Sequence, residues 1–346
     1  IPAEVRRLGR QGAYILGAAL GVAGCGVCAV AIVIESFVVL CLGGALLGMG
    51  IAHAQNYRFA AVLLAGSNPP KAIAWVTAGG VLGAILGPGI LARAKLLFPT
   101  EFTGIYVLGM GVHVVALLLL LRVKFPGSLP AAAGGPGAGG AAASRHLARI
   151  FLQPRSWAAS YAMLVAYIAM SLIMVPAPLV MPRDFGHSYD VTTIVMMCHM
   201  VLMFAPSLGT GACIGSCGTV PVMMAGCAAN FLSAVVLWMG SSLLCFFVGL
   251  AFLGVGWNFL FLAGTSQLAS SYRPAEGPKV QALNDGLVFM VSGTASLISA
   301  PMVESLGWGT VQVVVMGLVL VSMAIVAIPP LREGVAGRKA RDLQGR

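Results

Sequence analysis

Six consecutive residues, His53-Ala-Gln55-Asn56-Tyr57-Arg58, gather polar chemistry inside an otherwise apolar stretch. On a helix, His53, Asn56 and Tyr57 fall at i, i+3 and i+4 and share one face, with Gln55 and Arg58 on an adjoining face. A guanidinium placed there binds a carboxylate or phosphate through paired N–H donors. The competing reading sets Arg58 about 9 Å from the helix end, where its head reaches water along an apolar stem. Trp257 and Asn258 form a second polar point in an apolar run. An amide there can hydrogen-bond a ligand and an indole can stack on one; an interhelical hydrogen bond and a packing ring are the alternatives. His199, near the middle of its own run, and Asp285, beside Asn284, can take up and release protons. A packing histidine, and a carboxylate complementing a helix N-terminus, are the competing readings.

The elements that must position these residues are membrane helices. Of 346 residues, 59% are hydrophobic and 9% charged, and the mean hydropathy is +0.96. Soluble domains carry roughly 25% charged residues, so hydrocarbon must cover much of this surface. Ten apolar runs are long enough to span: 13–34, 37–64, 72–92, 103–121, 157–180, 191–213, 219–239, 241–265, 284–304 and 308–328. The 45 glycines suit helices packed through small residues. Cys25-Gly-Val-Cys28 matches C-x-x-C, but it sits in mid-span with no histidine beside it in sequence, so packing is the expected role.

Residues 122–156 break the pattern, with Arg122, Lys124, Arg145, Arg149 and Arg155 around a Gly/Ala/Pro tract. Such a composition makes a flexible linker. The chain therefore divides into an N-terminal bundle over 1–122, a linker over 123–156, a C-terminal bundle over 157–330 and a basic tail over 331–346. With both ends and the linker on one side, sixteen Lys/Arg fall there and three on the other. That bias places the first side in the cytoplasm and the chain in a plasma (inner) membrane. The same scatter of short basic clusters excludes nucleic acid as a partner. No phosphate loop, H-E-x-x-H or G-x-S-x-G is present, so neither an enzyme nor a cofactor site is expected.

Two landmarks recur. Gly218 lies 209 positions after Gly9, and Lys279, which follows Pro278, lies 208 after Lys71, which follows Pro70. Nearly equal offsets point to duplicated halves. The second half then has two helices, 157–180 and 191–213, with no counterpart in the first. A sequence of twelve helices lacking its first two is the expectation.

Arg6-Arg7-Leu8-Gly9-Arg10 is similar to the loop motif D-R-x-G-R between the second and third helices of the major facilitator superfamily (MFS), with Arg6 at the acidic position. Gly79-Gly80-Val-Leu-Gly83-Ala-Ile-Leu-Gly87-Pro88 resembles that family's fifth-helix motif, and its glycines make a small-residue stripe ahead of a proline bend. His199 to Gly211, Gly254-Val-Gly256-Trp257-Asn258, and Lys279-Val-Gln281-Ala-Leu-Asn284-Asp285 resemble a prokaryotic-type subgroup of unassigned substrate. The resemblance implies an all-α polytopic membrane protein with an MFS-like two-bundle fold and about ten of twelve transmembrane helices present. It implies a secondary active transporter moving a small polar or anionic solute by alternating access, with protons as the candidate coupling ion. Substrate contacts fall on His53, Gln55, Asn56, Arg58, Trp257 and Asn258, and coupling on His199 and Asp285. Conformational roles fall on Arg7, Gly9, Arg10, Gly80, Gly83, Gly87 and Pro88. The expected partners are a solute, the lipid bilayer and protons. The alternative is a degenerate, non-transporting membrane protein serving as a receptor or partner subunit.

Overall fold

A computed structural model of the chain describes residues 2–57, 60–61, 69–94, 97–123, 145–273 and 276–344. Arg58 and most of the expected linker (124–144) lie outside the described residues, as do the side chains of Arg6, Arg10 and Pro88 and of the tail from residue 329. All regular structure among the described residues is helical. The helices are α1 (Pro2–Val33), α2 (Phe37–Ala54), α3 (Pro69–Ala78), α4 (Gly80–Ala94), α5 (Thr103–Arg122), α6 (Leu147–Phe151) and α7 (Pro154–Met174). They continue with α8 (Ala177–Arg183), α9 (Tyr189–Phe204), α10 (Ser207–Cys217), α11 (Thr219–Met239), α12 (Leu243–Ser271), α13 (Gly277–Leu306) and α14 (Trp308–Gln344). Nine stretches of the described residues are long and apolar enough to cross a membrane, and Lys71–Gly87 is a shorter apolar helix in the remaining expected position. Large apolar side chains stand exposed along them, such as Leu297 at 80% and Leu118 at 57%. Water would not tolerate so many together, but acyl chains do.

Three expected spans contain breaks. The 191–213 run divides at Ala205–Pro206 into α9 and α10, because proline lacks the N–H that would continue the ladder. The 157–180 run divides at Val175–Pro176 for the same reason, and the 72–92 run turns at Gly79. The expected 37–64 helix breaks after Ala54, at Gln55–Asn56, and helical backbone resumes at Tyr57. There the Asn56 N–H bonds the His53 carbonyl, three residues back, while its side-chain amide bonds the Ala52 carbonyl at 2.8 Å. Asparagine competing for backbone partners in this way ends helices. The expected start of the ninth span at 284 moves to Gly277, so Asn284 and Asp285 lie beyond the first turn and outside reach of the terminal dipole.

The described backbone falls into two compact units, Ile1–Ala61 with Ile85–Ala143, and Val62–Ala84 with Ser144–Arg346. In the first, α1 packs on α2 and α5. A Cβ on Gly24 would lie 2.8 Å from the Leu47 backbone nitrogen and 3.0 Å from the Gly43 carbonyl, so bare backbone closes the α1–α2 contact. Replacing Gly24 with alanine should cost about 1 kcal/mol of stability by forcing the two helices apart. Thermal unfolding in detergent would show it as a lower midpoint, and an unchanged midpoint would mean the helices separate freely. In the second unit α7 is the centre, packed against α12, α13 and α14, with Ala158, Ala159, Ala162, Ala166 and Ala169 buried. α11 lies against α12 and α14, α9 against α12, and α3 against α10 and α12.

The two glycines 209 positions apart share one backbone conformation: Gly9 has φ 72° and ψ 174°, and Gly218 φ 88° and ψ 174°. Only glycine adopts this region readily. Pro70 and Pro278 likewise each stand second in a helix, α3 and α13. Landmarks spaced alike in sequence thus have like conformations.

Candidate functional site

In the second unit, the break between α9 and α10 leaves carbonyls in the last turn of α9 without helical partners. Asn258 on α12 fills that gap. Its Nδ2 donates to the Met203 carbonyl at 2.7 Å and to Ser207 Oγ at 2.6 Å, and its Oδ1 accepts from Thr210 Oγ1 at 2.8 Å. Asn258 is fully buried. With both donors and the carbonyl oxygen engaged by the protein, its amide fixes the broken helix rather than offering a free group to a ligand.

Next to Asn258, Trp257 sits among rings from four helices. It stacks on Phe261 with centroids 4.6 Å apart and planes 15° apart, and meets Tyr167 at 5.5 Å and Phe204 at 6.0 Å edge-on. Tyr167 also meets Phe261 and Phe289 edge-on. Trp257 is 4% exposed, and among the described residues its indole Nε1–H has no hydrogen-bond partner. A buried, unpaired donor costs about 1–3 kcal/mol, so the position calls for an acceptor. The i, i+4 pair Trp257–Phe261 was legible in the sequence; Tyr167, Phe204 and Phe289 were not, since only folding brings them there.

His199 is buried on α9. Its Nδ1 lies 2.7 Å from the Leu250 carbonyl, which can only accept, so Nδ1 carries the proton and Nε2 is left as a buried acceptor without a partner. Asp285 is half-buried beside Asn284, whose amide donates to its Oδ1 at 3.1 Å. The glycine stripe makes close contact at only one of its three positions: a Cβ on Gly80 would lie 2.6 Å from the Phe204 ring, whereas Gly83 and Gly87 have nothing within 4 Å. The expected continuous packing surface is therefore confined to Gly80. Asp184 and Glu304 both accept from the exposed Arg183 guanidinium, at 2.7 and 3.0 Å.

In the first unit the expected cluster disperses. His53 turns inward, with its ring against Gly17. Asn56 bonds its own helix end and Gln55 caps it, half-buried. Arg7 is exposed. Cys25 and Cys28 are free thiols, and the fold brings His113 Nδ1 to 3.9 Å from Cys25 Sγ. The histidine that sequence proximity did not supply is thus nearby, although its Nδ1 also bonds the Gly109 carbonyl at 2.8 Å. Among the described residues no group of three or more His, Cys, Asp or Glu could hold a metal.

No family model matches the sequence. The chain is 32% identical over 329 residues to the riboflavin transporter RfnT of Brucella anthropi, covering 94% of this chain and 80% of the relative. It is 24% identical to the uncharacterized MFS-type transporter YdeG of Bacillus subtilis, covering 92% of this chain and 76% of that one. Among solved structures it resembles the E. coli fucose:proton symporter FucP (TM-score 0.68, 14% identity, 95% of this chain and 86% of that one). It also resembles the human organic anion transporter MFSD10 (TM-score 0.66, 15% identity, 92% and 77%). Helical content, apolar spans and these likenesses define a multi-pass integral membrane protein of the transporter class. The chain belongs to the major facilitator superfamily.

Proposed function

We propose that the chain is a secondary active carrier moving a planar, polar heteroaromatic solute of the flavin type by alternating access, with protons as the coupling ion. Its bundles are those over 1–122 and 157–330, joined by the linker 123–156, in the plasma (inner) membrane, with both ends and the tail 331–346 on the cytoplasmic side. The relative named for riboflavin transport is the reason to look for a flavin. The observation that carries the reading is the Trp257 indole N–H, buried within a cluster of rings and lacking an acceptor. An isoalloxazine offers a flat face to such rings and carbonyl oxygens at its edge. Stacking on aromatic side chains supplies binding energy without net charge, so the reading does not depend on Arg58.

Radiolabelled riboflavin uptake into proteoliposomes tests this. Trp257→Phe keeps a ring and removes the donor, and should raise KM about 5-fold, as loss of about 1 kcal/mol implies. Trp257→Ala removes both and should lower uptake more than about 10-fold. Riboflavin flux no greater than in protein-free liposomes would overturn the flavin assignment.

A further inference from the structure

The His53 side chain is 6% exposed, and both ring nitrogens are engaged. Nδ1 lies 2.8 Å from the Met49 carbonyl, one turn back on α2, and Nε2 lies 2.9 Å from Glu4 Oε2 at the start of α1. A carbonyl oxygen and an ionised carboxylate only accept hydrogen bonds, and a neutral imidazole has one N–H to donate. Two acceptors therefore demand two N–H groups. The Glu4 side chain is 37% exposed, and a carboxylate in contact with water stays ionised at neutral pH. The extra proton thus belongs to the ring, and the pair in this conformation is an imidazolium–carboxylate.

We infer that His53 and Glu4 form a proton-binding site, and that it supplies the coupling proton of the carrier proposed above. The assignment deepens that reading and rests on it for its role in transport. Glu4, 37% exposed, lies between solvent and the 6% exposed ring, so its carboxylate can relay the proton to the imidazole. The geometry also gives the proton a mechanical consequence. A Cβ on Gly17 would overlap His53 Cβ, so α1 lies directly on α2 here. When the proton leaves, the ring can donate to only one of its partners, and the tie between the start of α1 and the end of α2 weakens. Of the other described titratable or charged side chains at this end, Arg7 on α1 and Arg122 on α5 are exposed, while Tyr14 and Tyr57 meet edge-on at 5.0 Å. None of them hydrogen-bonds the imidazole. His199, by contrast, has its proton fixed on Nδ1 by a carbonyl and no acidic partner within hydrogen-bond distance of Nε2.

The test is nitrogen NMR of the full chain, labelled at its five histidines and held in lipid nanodiscs, with His53→Gln identifying the His53 signals. At pH 7 the expected result is two protonated ring nitrogens on His53, with one of the two lost in Glu4→Gln. A wild-type His53 with one unprotonated nitrogen at pH 7 would overturn the site, whether or not Glu4→Gln folds. In proteoliposomes, a transmembrane pH gradient should stimulate riboflavin uptake several-fold in the wild type and not in Glu4→Gln. Equal stimulation in both proteins would overturn the coupling role. A wild type with no uptake at all sinks the carrier reading, while the NMR arm still decides the site.

Discussion

Replacing Asn258 with leucine should destabilise the protein by about 2–3 kcal/mol and lower its detergent unfolding midpoint. Buried hydrogen bonds between membrane helices contribute about 0.6 kcal/mol each on average and up to about 1.7, and Asn258 makes three. Leucine has the same number of side-chain heavy atoms in the same branching, so the loss does not come from a cavity. The single Thr210 hydroxyl proton, shared in the wild type between Asn258 Oδ1 and the Pro206 carbonyl, goes wholly to that carbonyl, 2.8 Å away. The Met203 carbonyl has no such alternative in the structure, and it lies where the broken helix leaves it exposed to hydrocarbon if α10 shifts. Asn258→Asp should be worse than leucine, because a carboxylate cannot donate to Met203 and would be buried unpaired. A leucine variant that melts like wild type would show that the break is held by other contacts. A variant equally stable but deficient in riboflavin binding would return Asn258 to the ligand-contact reading.

How much of this was legible in the sequence depends on the range of the interactions. Apolar length alone placed the spans, because a bilayer imposes nearly the same length on every helix. The likeness of Gly9 and Gly218 was legible because both occupy a backbone region that other residues avoid. Breaks inside the spans were harder. Pro206 and Pro176 were visible, yet proline is tolerated within α13 at Pro301 and within α8 at Pro182. Whether a proline divides a helix depends on what satisfies the freed groups, and for Pro206 that partner, Asn258, is 52 positions away. The His53 face failed for a related reason. Its i, i+3, i+4 spacing assumed an unbroken helix, whereas a break at Gln55–Asn56 interrupts it and Glu4, 49 positions away, claims the ring. Periodicity describes one helix at a time, while the chemistry at both places is made between helices.

Substituting Glu276 with glutamine should destabilise the second unit by roughly 2–3 kcal/mol. Glu276, just before α13, is 1% exposed. Its carboxylate accepts from the Arg145 backbone N–H at 2.9 Å, Arg145 Nε at 3.0 Å, Arg145 Nη2 at 2.7 Å and the Arg273 N–H at 2.9 Å. Breaking a fully buried pair costs about 3–5 kcal/mol; the lower figure applies because Arg145 keeps 25% of its side-chain surface. Together these bonds pin the start of the 145–155 segment to the connection between α12 and α13. Gln267 adds a parallel tie, accepting from Thr219 Oγ1 and donating to the Arg155 carbonyl at 3.0 Å. Hydrogen bonds from Arg145 hold the Glu276 carboxyl down to about 2, from an ordinary value of 4.5. A carboxyl lowered in the folded state stabilises it fully above the ordinary value, and that stabilisation is lost as pH falls toward about 2. The unfolding midpoint of the wild type should therefore drop between pH 4.5 and 2 more steeply than that of Glu276→Gln, whose neutral amide does not titrate. Parallel pH profiles for the two proteins would mean that the carboxylate, although surrounded by donors, does not hold the segment in place.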